Sequence, residues 1–258
     1  MKTSLIDYTL HLADNALILG HRNSEWTGHG PILEQDIAIS NIALDLIGQA
    51  RNFYQHAAQL MGKEEVTEDS LAYLRDGWDY KNCLLVEQPN GDWAQTILRQ
   101  FFFSAYQYYF YQQLLHSSDA QLAAIAEKSL KEVTYHLRWS AEWVIRLGDG
   151  TEESNTRIKN ALDGLWKFTG ELTIPSEYEI TLLKENISVD LPGIKKSWEN
   201  KVKEVFEEAT LKFPPEKTEK GELVWMQTGG KTGSHTEHLG YILAEMQFLQ
   251  RAYPGSEW

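Results

Sequence analysis

Apolar positions recur at three- and four-residue intervals through most of the first 170 residues and never settle into alternation, which predicts long helices and no sheet. Prolines stand at 31, 89, 175, 192, 214, 215 and 254, so 32–88 and 90–174 lack the strongest helix breaker. The pattern places a first helix over Ser4–Arg22, with Leu12, Leu17 and Leu19 around Asn15. The loop SEWTGHGP turns the chain on Gly28, Gly30 and Pro31 into a second helix, Ile32–Met61. A short helix near Leu71–Tyr80 precedes the turn Pro89-Asn90-Gly91, and Asp92 is the expected N-cap of a third long helix, Trp93–Leu115. Ser118 and Gln121 read as a capping box for a fourth, Asp119–Leu147, which Gly148-Asp149-Gly150 ends. A fifth helix follows over Thr151–Gly170. Then come a capping box at Ser176 and Glu179, a charged amphipathic helix over Trp198–Leu211, the exposed connector FPPEKTEKGE and a last helix over Ser234–Arg251. The expectation is an all-α protein with one domain over 1–258: a core bundle of four long antiparallel helices in 1–172, and a helical extension, 173–258, packed on it.

Composition narrows the partners more than the fold. Hydrophobic residues make up 42% of the 258 residues, with nine Trp, twelve Tyr and nine Phe, enough to fill a large core. A net charge of -13 argues against nucleic acid or anionic membrane as a partner, because phosphate surfaces repel it. A single cysteine, Cys83, excludes an internal disulfide and points to a reducing, cytoplasmic setting. The first twenty residues carry Asp7, His11 and Asp14 and lack a signal-peptide core, and no apolar run approaches the length of a membrane span.

The chemistry concentrates on the second helix. Asn41 and Asp45 lie one turn apart among Ile37, Ile39, Ile42, Leu44, Leu46 and Ile47, so Asp45 is expected on a packed face, where a carboxylate needs a reason. Four long antiparallel helices suggest the ferritin-like bundle, whose di-iron sites take a Glu from each of two helices and a Glu-x-x-His from each of the other two. Asn15 precedes Asp45 by 30 residues and Ser104 precedes Glu132 by 28, a repeated geometry. The histidine positions one turn on hold Gly48 and Tyr135, so of the six ligand positions only Asp45 and Glu132 keep a carboxylate. His136, at i+4 from Glu132, restores one position at most. The expected role of Asp45 and Glu132 is to hold the bundle in register, neutralised by a basic neighbour, with Lys128 one turn before Glu132 the first candidate.

Other motifs carry less. GGKTGS lacks the first glycine of a phosphate-binding loop, because Trp225 stands in its place. His235, Glu237 and His238 at the start of the last helix form a candidate partner contact or hydrogen-bond network more readily than a metal site. The run FFFSAYQYYFYQQLL reads as core, with Ser104 its small polar exception.

Four blocks, GHGPILEQDIAISNIALDLIGQARNFYQHAAQL, LLVEQPNGDWAQTILRQ, KSLKEVTYHLRWSAEWVIRLGDGT and TGGKTGSHTEHLGYILAEMQFLQR, resemble the PaaC-type subunits of bacterial phenylacetyl-CoA epoxidase, the ring 1,2-phenylacetyl-CoA monooxygenase of aerobic phenylacetate catabolism. The resemblance implies a ferritin-like fold and a non-catalytic, structural role, with no cofactor in this chain. It also implies partners: a homologous catalytic subunit that carries the iron, in a heterodimer or higher assembly, a small accessory subunit, and a reductase that uses NADPH with flavin and iron–sulfur groups. Self-association of the isolated chain as a homo-oligomer is left open by the sequence. The rival reading is an active di-iron oxygenase or a ferritin-like iron store. The two part on one measurement: protein reconstituted with ferrous iron is expected to retain close to no metal by elemental analysis, whereas retention near two irons per chain would establish the rival.

Overall fold

The computed structural model describes residues 1–217 and 220–256. Ten α-helices account for most of these residues: α1 (Lys2–Ser24), α2 (Leu33–Met61), α3 (Glu68–Tyr73), α4 (Trp93–Leu114), α5 (Ala120–Gly148), α6 (Glu152–Leu165), α7 (Glu177–Leu183), α8 (Leu191–Glu208), α9 (Glu237–Met246) and α10 (Phe248–Ala252). Among the described residues no strand forms, and a single antiparallel bridge joins Lys217 to Leu223. The four long helices pair as α1 with α2 and α4 with α5, and a narrower contact between α2 and α5 closes that side of the bundle. This is the all-α, ferritin-like arrangement that the periodicity predicts.

Local chemistry accounts for the boundaries. The Asp92 carboxylate accepts from the Gln95 N–H at 3.0 Å and starts α4, and Ser176 and Glu179 cap each other at α7. The expected Ser118–Gln121 box does not form. Asp119 caps α5 by accepting from the Gln121 and Leu122 N–H groups, while the Ser118 hydroxyl donates across to Glu185 O. A carboxylate one residue later is the stronger acceptor, and Ser118 is drawn away by the extension. α8 starts seven residues before the predicted Trp198 because Pro192 sits in its first turn, where a missing N–H costs nothing. α6 gives way to 3₁₀ turns after Leu165, and the predicted last helix is shortened at its start and broken at Gln247.

The aromatic run of α4 is core. Phe101, Phe102, Phe103, Tyr106, Phe110 and Tyr111 are each at most 2% exposed, and Phe102 meets Trp166, Trp198 and Phe206 at 5.8–6.1 Å. α8 therefore docks onto α4, with the Trp198 indole donating to Phe102 O at 2.9 Å.

The rest of the extension is seated by buried polar groups. Lys231, in the GGKTGS loop, is 4% exposed, and its Nζ donates to both oxygens of Glu179 and to Ile174 O. Burial is the largest influence on Glu179 and opposes its ionisation, but Lys231, His11 and the Ser176 N–H together outweigh it and hold the carboxyl below its usual range. The loop is thus a structural plug and has no free ammonium for phosphate. Glu171 accepts from the Leu84 and Gly229 N–H groups, and Glu87 accepts from His235, Thr236 and Asn82. The plug is also tight. A Cβ on Gly230 would lie 2.1 Å from Asn82 O, and Gly233 has φ of +90° with its would-be Cβ 2.4 Å from Trp78 O.

Under this plug lies His11 on α1, fully buried beside Glu179 at 3.8 Å. Burial pulls its imidazole down to about 4 despite that carboxylate, so the ring is neutral at pH 7. Nδ1 lies 2.7 Å from Lys81 O and so carries the proton, which leaves Nε2 to accept from Asn15.

Two outcomes follow from this seat. Lys231→Met should destabilise the protein by about 3–5 kcal/mol in denaturant titrations, because Glu179 would be left buried and unpaired. His11 binds its proton more weakly folded than unfolded, so its stabilising contribution, present above about 6.5, should fade as pH drops from 6.5 to about 4. The loss amounts to about 3 kcal/mol, and His11→Gln should flatten the stability–pH curve in that window.

Candidate functional site

The six positions singled out by spacing lie on the four long helices but do not converge. On α1, Asn15 is 3% exposed, and its Oδ1 accepts from the Cys83 N–H at 2.8 Å, which ties the helix to the 80–88 loop. On α4, Ser104 is fully buried, and its Oγ accepts from Gln100, whose Oε1 accepts in turn from Asn23 of α1. These two side chains serve different seams.

On α2 and α5 the inward register is i, i+4. Asp45 accepts from His136 Nε2 at 2.9 Å, and Glu132 accepts from Gln49 Nε2 at 2.9 Å. The helices run antiparallel, so two residues one turn apart on α2 meet two residues one turn apart on α5, in reverse order. Gln49 Oε1 then accepts from the Tyr111 hydroxyl at 3.1 Å and brings α4 into the chain. His136 and Gln49 are buried, whereas the Asp45 side chain retains 37% of its exposure, so each carboxylate lies at the rim of the α2–α5 seam with its partner inside.

Gly48 and Tyr135, the positions where the spacing looks for histidines, both turn outward. A Cβ on Gly48 would meet nothing within 4 Å. Tyr135 is 38% exposed and lies under Arg138, 5.8 Å from the ring centroid. The i+3 position is therefore surface on both helices, and the seam residues are Gln49 and His136. Their signal in the sequence is that Ile42, Leu46 and Phe53, all fully buried, share a face with Gln49.

The expected neutralisation by Lys128 is corrected. Lys128 is exposed and makes no ion pair among the described residues, because its side chain leaves α5 on the solvent side. His136 and Gln49 satisfy the two carboxylates. Asn41 is likewise exposed, as are Ile37 and Leu44 at 52% and 66%, so α2 is apolar on its outer face as well as its inner one.

Of the C-terminal candidates, His235 is built into the interior, with Nδ1 at 2.8 Å from Glu87 and Nε2 at 2.9 Å from Tyr80 O. Burial, the largest influence, pulls its pKa down, but the Glu87 hydrogen bond and charge together with the Tyr80 carbonyl outweigh it and leave the pKa raised. Glu237 is exposed and His238 half-buried, and neither joins that network. Residues that spacing did not pick out include Asp14, fully buried and held by Arg75, Tyr54 and the Lys81 N–H, and Arg99, fully buried on Gln88 O and Asn90. Nothing in the sequence pattern separates them from ordinary amphipathic positions.

The donor set does not fit a di-iron centre. Two metal ions call for about four carboxylates and two imidazoles around a shared space. Here two carboxylates are engaged singly at a seam, Asn15 and Ser104 are bound elsewhere, and among the described residues no group of three His, Cys, Asp or Glu could hold a metal ion. The arrangement can cross-link three helices. It offers no open coordination position.

No helix among the described residues is long and apolar enough to cross a membrane. The sequence is 49% identical over 254 residues to the C-type subunit of the 1,2-phenylacetyl-CoA epoxidase of Escherichia coli (strain K12), a match covering 98% of this chain and 99% of the relative. The family described as phenylacetic acid catabolic protein matches residues 1–258. With its helical bundle and its full-length match, the chain belongs to that phenylacetic acid catabolic protein family.

Proposed function

We propose that the chain is the structural, non-catalytic subunit of a multicomponent di-iron monooxygenase that epoxidises the ring of phenylacetyl-CoA, and that it binds and stabilises a homologous catalytic subunit. One observation carries this reading. Where a di-iron protein of this fold gathers its ligands, this chain pairs Asp45 with His136 and Glu132 with Gln49 across the α2–α5 seam. These groups have been turned to holding helices together. The name of the 49% identical relative, which is a subunit of an epoxidase, supports membership of such a complex.

Oxygen activation in such an assembly belongs to the iron-bearing subunit, and electrons come from a reductase that draws on NADPH through flavin and iron–sulfur groups. The proposed complex also includes a small accessory subunit. This chain supplies a large helical surface against which the catalytic bundle keeps its shape, and the iron ligands there depend on that shape to stay within reach of one another.

Co-expression should give a stable complex of the two homologous chains, and reconstituted turnover of phenylacetyl-CoA should require this chain, the catalytic subunit and the reductase together. Turnover by this chain with reductase alone would refute the assignment. Gln49→Leu leaves Glu132 without its partner and should lower stability by about 1–3 kcal/mol in thermal or chemical unfolding. Turnover per assembled complex should be unchanged. A loss of kcat in complexes that remain fully assembled would give the seam a catalytic part.

A further inference from the structure

Both ring nitrogens of His235 face oxygen atoms in accepting roles. Nδ1 lies 2.8 Å from Glu87 Oε2, and Nε2 lies 2.9 Å from the main-chain oxygen of Tyr80. A neutral imidazole has one N–H and one bare lone pair, so it would serve one of these acceptors and turn a lone pair on the other. Only the imidazolium donates to both.

The charges around the ring agree. The Glu87 side chain is fully buried and that of His235 is 7% exposed. The carboxylate also accepts from the Asn82 amide and from the N–H and hydroxyl of Thr236, and among the described residues it makes no ion pair with a lysine or arginine. Arg22, on α1, donates to the main-chain oxygen of Glu87 and pairs with Glu25. Of the other charged groups at this corner, Asp14 favours the same proton but is held by Arg75, Lys231 is held by Glu179, Lys81 pairs with Asp7, and Arg251 of α10 pairs with Asp76. Glu171 accepts from main-chain N–H groups. With a neutral His235, Glu87 would be a buried carboxylate lacking a counter-charge.

The position of this pair gives it leverage. His235 stands between the glycine-rich loop and α9, and Thr236 is the N-cap residue of that helix. Every hydrogen bond that these two residues make to the 80–88 loop ends on Glu87 or on Tyr80 O. We propose that His235 is a pH-sensitive latch: as an imidazolium it fastens the glycine-rich loop and the start of α9 to the 80–88 loop, and loss of one proton on the alkaline side loosens that segment while the four-helix core stays folded. Burial works against the charge, but Glu87 and the Tyr80 carbonyl outweigh it, so the ring binds its proton more tightly folded than unfolded. Its stabilisation is therefore complete below about 6.5 and is lost as pH rises through the folded value. His11, under the same plug, changes only on the acid side of 6.5 and leaves the alkaline range to His235.

The test uses the full-length protein labelled with nitrogen-15 in its histidines. At a pH of about 6, His235, identified by the signals that His235→Gln lacks, should show two protonated ring nitrogens and a titration midpoint above 6.5. Glu87→Gln should bring that midpoint down. Hydrogen exchange read by mass spectrometry follows the latch itself. After correction for intrinsic rates, protection of the 229–240 amides should fall about threefold or more between a pH of about 6 and one of about 9 in the wild type, and stay level in His235→Gln. Protection in α4 should change less. A bare nitrogen on His235 at the lower pH would overturn the protonation, with the proton then residing on Glu87, and level protection in the wild type would overturn the latch. If the two variants do not fold, the wild-type exchange decides alone: a fall confined to 229–240 supports the latch, and its absence ends it.

Discussion

A polar group carried into the interior of this protein must find its partner on another element, because leaving it bare costs more than most single contacts return. That constraint decides where the C-terminal third of the chain goes. Apolar side chains of α8 and α9 supply much of the burial, yet hydrophobic contact is non-directional and would tolerate many seats. Glu87, Glu171, Glu179 and Lys231 tolerate one. Each accepts or donates to groups fixed on the 80–88 loop, α7 or the glycine-rich loop, and the glycines at 230 and 233 let the glycine-rich loop lie against the carbonyls of Asn82 and Trp78. His11 and Asn15, at the base of the same network, connect it to α1 and so to the bundle.

Much of this was legible in the sequence, and the legible part has a common cause. Helix positions, the Asp92 cap, the Ser176–Glu179 box and the aromatic core of α4 follow from local chemistry and from a periodicity that tertiary structure leaves intact. The errors lie where a distant element intervened. Ser118 lost its capping role to a carbonyl of the extension at Glu185, and the last helix broke at Gln247, whose side chain donates to Arg75 O. Spacing located the right helices and the right level for the mid-bundle polar residues but chose i+3 where the structure uses i+4. On a helix of about 3.6 residues per turn the two positions flank the same line, and only the partner helix decides between them. Lys128 failed as a partner for the same reason: one turn of sequence separation does not say which side of α5 faces α2.

The seam also shows how polar groups at the middle of a bundle are held. Loss of ligands in a metal-binding bundle leaves buried polar groups, and a pocket of that kind is unstable unless the groups are removed or re-paired. Here the two carboxylates, at the rim of the seam, are each paired with a buried donor. Asp45, Gln49, Glu132 and His136 form two reciprocal hydrogen bonds at 2.9 Å between antiparallel helices, and Gln49 extends the chain to Tyr111. Cross-links of that type specify alignment along the helix axes, which apolar packing specifies only weakly. That alignment in turn fixes the register of the outer surfaces of α2 and α5.

The loop that seals the C-terminal third has a consequence for the order in which the protein is made. His235 and Thr236 meet residues 148 to 155 positions earlier, so these bonds belong to the most non-local contacts in the fold. During synthesis from the N-terminus, the four-helix core leaves the ribosome well before residues 229–236 do. Until then Glu87 and Glu171 have water in place of their final partners, and closure of this corner comes late. The nascent chain therefore passes through a stage in which its core is collapsed and one flank is still wet, and this is the stage at which a chaperone or a partner subunit would meet it.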